Sequence, residues 1–176
     1  QIRVANIDIE VASENGFPHV ALASEEVISI TIKLENTFHV FGCDEYSNSK
    51  ENVEYYKCDS ESDLLKKFLQ LWSKYNPDVV TGWNVRFFDI PYLYNRMCKI
   101  LGESESKHLS PWKIVEADNI FIRGNEQSAY NIYGITTLDY YELYKKFTYA
   151  QQESYKLDHI AFVELGEKKL DYSEYE

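Results

Sequence analysis

At 176 residues the chain is of single-domain size, and its 44% apolar content, with 15 Tyr and 9 Phe, supplies one packed core and excludes a disordered segment. A formal net charge of −11 argues against a broad basic surface that grips nucleic acid, because phosphate affinity comes mainly from Lys and Arg; a small acidic pocket that collects cations remains open. Cys43, Cys58 and Cys98 are odd in number and far apart, and the four histidines are scattered, so neither a zinc cluster nor a disulfide framework is expected.

Residues 3–11 alternate Ala5, Ile7, Ile9 and Val11 with Val4, Asn6, Asp8 and Glu10, the period of a strand, and Gly16, Phe17 and Pro18 break it. Residues 27–34 and 38–41 predict two further strands joined by a hairpin turn at Glu35, Asn36 and Thr37, with a weaker strand at 53–58. The period then changes. Leu64, Leu65, Phe68, Leu69, Leu71, Trp72 and Tyr75 form one helix face, with Ser60 or Ser62 as N-cap and Asn76-Pro77 as the stop. A short strand at 78–82 and a helix at 89–101, stopped by Gly102, come next, then a polar loop at 104–111.

Residues 130–135 predict a strand and 140–147 a helix, whose aromatic side chains fall at helical spacing and are expected in the core. Ser154 is positioned to cap a last helix at 155–165, ended by Gly166. Several strands followed by helix, strand and helix predict an α/β fold with a mixed sheet flanked by helices. With no signal pattern and no apolar run of membrane-spanning length, a soluble, cytoplasmic protein without a membrane partner is expected.

Asp8-Ile9-Glu10 carries the first chemical signal. Residues two apart on a strand project from one face, so both carboxylates point the same way, in a strand whose apolar neighbours predict a central place. Burying two ionised carboxylates costs on the order of several kcal/mol each unless cations compensate, and hard divalent ions such as Mg²⁺ and Mn²⁺ take oxygen ligands. The alternative is an exposed strand face with two solvated acids. In the second segment, 81–93, Gly82 and Asn84 follow the short strand and Asp89 stands at a helix start; it reads as an N-cap with Pro91 in the first turn, as a cleft-facing carboxylate, or as both.

The Asp8-Ile9-Glu10 strand and the block Gly82-Trp83-Asn84, Phe88-Asp89, Pro91-Tyr92 resemble the first two exonuclease motifs of family B DNA polymerases, closest to the T-even-type bacteriophage enzymes. The stretches 2–6, 95–103 and 138–147 support the likeness in the same order. The resemblance implies an RNase H-like (DnaQ-like exonuclease) fold and a 3′→5′ proofreading exonuclease. Its substrate would be the frayed 3′ end of single-stranded DNA and its product nucleoside monophosphates, with the polymerase domain of the same chain as partner. It implies Asp8, Glu10 and Asp89 as catalytic metal ligands, with Glu10 also orienting the attacking water, and Asn84 and Phe88 as residues that position the terminal nucleotide. Two Mg²⁺ or Mn²⁺ ions would lower the pKa of a water and stabilise charge on the attacking and leaving oxygens.

The family's third motif, Tyr-x-x-x-Asp, is expected beyond Gly166, where 170–172 resemble what shortly precedes it. Residues 1–176 thus read as a partial single exonuclease domain whose carboxyl end is missing, cut at both ends from a longer chain, in a bacterial host's cytoplasm if viral. Tyr55 with Asp59, and His39 with Asp44, mimic third-motif spacings at the wrong place in the order and are read as coincidences. Asp139 is expected to cap the helix that follows it, Lys145 and Lys146 to form a solvated helix end, and Trp72 to pack. The rival reading is a catalytically impaired segment that only binds single-stranded DNA or serves structurally; a third is an internally cutting RNase H-like nuclease.

Overall fold

The computed structural model describes residues 1–13, 16–47, 50–118, 120–122 and 125–168. The chain divides into two compact units, Gln1–Tyr140 and Tyr141–Glu176. In the first, strands β1 (Val4–Val11), β2 (Val27–Leu34), β3 (Thr37–Gly42), β4 (Val53–Lys57), β5 (Val79–Gly82) and β10 (Thr136–Asp139) form one sheet in the order β10-β5-β1-β2-β3-β4. Two small ribbons pair β6 (Val115–Ala117) with β9 (Tyr130–Ile132) and β7 (Ile120–Ile122) with β8 (Asn125–Gln127).

Only β2 runs against both neighbours in the large sheet; the β3–β4, β1–β5 and β5–β10 pairs are parallel. The mixed, helix-flanked α/β sheet expected from the sequence is therefore present, with the arrangement of the RNase H-like class. Strand β1 lies inside it, and its alternation is realised: Ala5, Ile7 and Ile9 are buried, while Val4, Asn6, Asp8 and Glu10 are exposed.

Helix α1 (Glu61–Tyr75) packs on β2 and β3, and α2 (Asp89–Ile100) packs on β1. Leu64, Leu65, Phe68 and Trp72 from α1 and Ile90, Leu93 and Met97 from α2 meet Ile7, Ile30, Ile32, Phe41 and Val80 in one core. Truncating one of these large side chains to Ala costs about 2–5 kcal/mol. Ser60 caps α1 by accepting the Asp63 N–H at 3.3 Å, and Asn76, left-handed at φ +50°, ends it by donating its N–H to the Trp72 carbonyl.

Four expectations change. The polar stretch after Gly102 is not an open loop but a short helix α3 (Glu103–Ser106) and a 3₁₀ turn (Lys107–Leu109), drawn in because Leu109 is buried and its carbonyl accepts the Trp72 indole N–H at 2.8 Å. The strand expected over 130–135 stops at Ile132. Gly134 turns the chain at φ +90°, and the unpredicted β10 joins β5 in parallel.

The second unit supplies the other two changes. The aromatic side chains of α4 (Tyr140–Phe147) are not core: no α4 residue is buried and Phe147 is 69% exposed. In that unit the Tyr141 and Tyr144 rings meet Tyr155 edge-on and Lys145 Nζ lies over Tyr141 and Tyr155. Helix α5 (Leu157–Leu165) starts two residues later than expected, because Ser154 Oγ accepts the Lys156 N–H rather than capping the helix. Gly166 ends it in the left-handed region, as expected. Residues 170–172 lie outside the described residues, and no helix among the described residues is long and apolar enough to cross a membrane.

Candidate active site

Strand β5 accompanies β1 only from Val4 to Asn6, so beyond that point the edge of β1 on the β5 side has no strand partner among the described residues. The carboxylate of Asp89 takes the place of one. The Ile9 N–H donates to Asp89 Oδ1 at 3.1 Å, which joins the two predicted motifs across 80 residues and sets Asp89 between Asp8 and Glu10 along the strand. The N-cap reading of Asp89 gives way: Phe88 holds the cap position of α2 without a side-chain capping bond, and Asp89 is the first helical residue.

The turn that delivers Asp89 is tightly specified. A Cβ on Gly82 would lie 2.6 Å from the Ile7 carbonyl oxygen, so only glycine lets the end of β5 approach β1 this closely. Asn84 follows in the left-handed region at φ +64°, and its carbonyl accepts the N–H groups of Phe87 and Phe88 at 3.2 and 3.0 Å. Asp139, 2% exposed at the end of β10, accepts the Asn84 N–H at Oδ1 (3.0 Å) and the Arg86 N–H at Oδ2 (2.9 Å). These bonds reach across more than 50 residues, whereas the sequence pointed to a local cap on the following helix.

Asp8 and Glu10 occupy the exposed face of β1. The burial cost expected for that pair falls instead on Asp89, which is 4% exposed. Burial and then the neighbouring charge of Asp8 push the Asp89 carboxyl up to about 7, with a smaller upward push from Asp139, while the Ile9 N–H opposes them. A break in the β1–β2 register between Glu10 and Val11 bends the strand just past the second carboxylate, a common feature at sheet sites that aim side chains.

The ring of Phe88 stacks on Tyr92 at 5.8 Å and meets Phe17 at 5.5 Å. Phe17 is 86% exposed, so it gains little from burial and presents an open aromatic face next to Phe88, the residue before Asp89. Sequence reasoning used Phe17 only as a strand breaker. The available signal was an aromatic residue in a Gly-Phe-Pro turn a few residues past an acidic strand. The two mimic motifs begin on other strands, His39 on β3 and Tyr55 on β4, where the Tyr55 hydroxyl donates to the Asp44 carbonyl and His39 Nδ1 lies 3.1 Å from the Tyr56 hydroxyl.

The donor set is all oxygen, and a buried carboxyl raised by an adjacent carboxylate is the situation a hard cation relieves. In that respect the residues fit a divalent ion. Asp8 and Asp89 are the electrostatically coupled pair, and among the described residues no group of three or more His, Cys, Asp or Glu side chains is arranged to hold a metal.

Comparison with known proteins gives a consistent picture. The family described as DNA polymerase family B, exonuclease domain, matches residues 1–160. The DNA-directed DNA polymerase of Escherichia phage RB69 is 37% identical over 98% of this chain and 22% of its own length. The corresponding protein of Enterobacteria phage T4 is 33% identical over 97% of this chain and 22% of its own. The DNA polymerase catalytic subunit of Saimiriine herpesvirus 2 is 30% identical over 97% and 18%. The chain thus spans about a fifth of the length of these relatives.

Proposed function

Because this chain belongs to the exonuclease-domain family of the family B DNA polymerases, whose general function is 3′→5′ proofreading, we propose that it removes the 3′-terminal nucleotide of single-stranded DNA in a divalent-metal-dependent hydrolysis. The observation that supports the reading is the Ile9 N–H to Asp89 Oδ1 bond, which joins the acidic strand to the Gly82 to Asp89 turn.

Asp8, Glu10 and Asp89 would hold Mg²⁺ or Mn²⁺, which when bound supplies Lewis-acid activation of water and charge stabilisation at the scissile phosphate. The chain's own residues do the rest. Asp89 keeps its place through the Ile9 N–H and is the group whose proton must leave before it can act as a ligand. Glu10, exposed on the same face as Asp8, would also orient the attacking water. Phe88, backed by Tyr92 and facing Phe17, offers a ledge for the terminal base, and Asn84 lines the turn beside it. A single strand threaded to this cleft needs little basic surface here, so phosphate binding falls to other parts of the longer protein. The polymerase domain is the partner this implies.

The test uses single-stranded oligonucleotides with free or blocked 3′ ends and Mg²⁺ or Mn²⁺. Free ends should be shortened one nucleotide at a time by the complete protein, and Asp8→Ala or Asp89→Ala should lower the rate at least a thousandfold, about 4 kcal/mol of transition-state stabilisation. Internal cutting of blocked DNA would overturn the exonuclease reading. A second reading, that residues 1–176 alone bind single-stranded DNA or serve structurally, is favoured by the absence of a three-ligand group among the described residues. Residues 1–176 binding the oligonucleotide without shortening it, while the complete protein degrades it, is the outcome that reading requires.

A further inference from the structure

Between β1 and β2, one face of α2 grips the backbone carbonyls of residues 20 and 22–25. Tyr92, Asn95, Arg96 and Lys99 stand at the i, i+3, i+4 and i+7 spacing of a single helix face. The Tyr92 hydroxyl donates to the Glu25 carbonyl at 2.8 Å, and Asn95 Nδ2 donates to that of Val20 at 3.0 Å. Arg96 Nη1 donates to the carbonyls of Ala23 (3.2 Å) and Ser24 (2.8 Å), and Lys99 Nζ to that of Leu22.

Arg96 is itself fixed from behind. Its Nε and Nη2 form a fork onto the two Glu61 carboxylate oxygens at 2.7 Å each, and Glu61 Oε1 also accepts the Val27 N–H at 2.8 Å, where the segment rejoins the sheet. The segment's base is closed by the Ala12 N–H to the Glu26 carbonyl at 2.9 Å. Phe17 lies in this segment, and its ring rests on Phe88, at the amino end of the same α2. One helix therefore sets both rings, Phe88 at its amino end and Phe17 through the carbonyls of residues 20 and 22–25 that it grips.

We propose that Arg96, braced by Glu61, is a positioning residue that holds the 17–25 segment so that Phe17 stays packed on Phe88 and the pair forms one aromatic platform for the 3′-terminal base, and thereby sets affinity for the DNA end rather than the rate of hydrolysis. This rests on the nuclease reading above. Arg96 bonds Glu61 and the carbonyls of Ala23 and Ser24, not Asp8, Glu10 or Asp89; it acts through Phe17. No Lys side chain can make the fork to Glu61 and reach two carbonyls at once, so the planar guanidinium is required.

The test measures Mg²⁺-dependent shortening of a single-stranded oligonucleotide by the complete protein, with Arg96→Gln, Phe17→Ala and the double variant. Arg96→Gln should raise KM about tenfold, with kcat within about twofold, and Arg96→Lys should not restore it. In the Phe17→Ala background the Arg96 change should add less than about twofold, because residues acting through one contact are not additive. Should Arg96→Gln fail to fold with Glu61 left unpaired, Lys99→Ala, at an exposed position, carries the same comparison with a KM rise of about threefold. A fall in kcat at unchanged KM, or equal effects with and without Phe17, overturns the assignment while leaving the nuclease reading intact. Failure of the unsubstituted protein to shorten any free 3′ end overturns both.

Discussion

Asp139 Oδ1 accepts the N–H of Asn84 at 3.0 Å, and this bond, with its companion to Arg86, ties the end of an edge strand to the turn that delivers Asp89. A buried carboxylate on two backbone N–H groups is a charge-assisted clamp. It keeps Asn84 in the left-handed region, where a residue with a side chain does not rest without support.

Asp139→Ala should therefore leave two backbone donors without this acceptor and lower stability by about 2–4 kcal/mol, measured by urea denaturation. Excision should fall with it under conditions where the variant remains folded, because the turn carrying Asp89 loosens. Unchanged excision would show that the clamp serves folding alone.

The raised Asp89 carboxyl, at about 7, gives a stability-against-pH signature. The unfolded chain releases this proton near pH 4, and the folded protein holds it to about 7, so between those values the native state binds more protons and its stability falls as pH rises. Asp89→Asn keeps an oxygen for the Ile9 N–H and removes the charge. In chelator it should be more stable than the unsubstituted protein by about 2–4 kcal/mol at pH 8, with the gap closing toward pH 4. Thermal melts across pH check this, and a gap independent of pH would refute the buried-carboxylate account.

Divalent ions should close that gap. Anything that binds the native state alone stabilises it by mass action, so Mg²⁺ or Mn²⁺ at a hundred times its dissociation constant should add roughly 3 kcal/mol to the unsubstituted protein. The gain should be greatest above pH 7, where Asp89 has lost its proton, and nearly absent in Asp89→Asn. Equal gains in both proteins would place the ion elsewhere.

Gly82→Ala tests the close approach of β5 to β1. The added methyl meets backbone, the Ile7 carbonyl oxygen at 2.6 Å, and also the Val85 side chain at 3.2 Å. Neither the strand nor the turn can yield without moving Asp89, so a loss of about 1–3 kcal/mol in chemical denaturation is expected, together with weaker metal-dependent stabilisation.

Phe17→Ala should cost little stability, because its ring is 86% exposed, yet raise KM for a single-stranded 3′ end by roughly tenfold if a base stacks there. Phe17→Tyr should be close to neutral. An alanine variant with unchanged KM would remove the stacking ledge from the mechanism.

Local chemistry wrote much of this fold into the chain. The period-two run from Val4 to Val11 fixed which β1 side chains face inward, the α1 face from Leu64 to Trp72 fixed a helix, and Ser60, Asn76, Gly102 and Gly166 marked boundaries, because alternation and caps act between near neighbours. The acidic strand and the Gly82 to Asp89 block were legible as chemistry for the same reason: each is a short segment whose residue types state their needs.

What the tertiary structure decided is which groups share an environment. No local pattern says that β5 pairs with β1 only as far as Asn6 and leaves the Ile9 N–H to Asp89, that Asp89 rather than Asp8 or Glu10 is the buried carboxyl, or that Asp139 belongs to the Asn84 turn. The four-residue β10 gave no signal because a parallel strand gains its hydrogen bonds from a partner more than 50 residues away, and the α4 aromatics misled because spacing shows which side chains share a face but not whether anything covers that face.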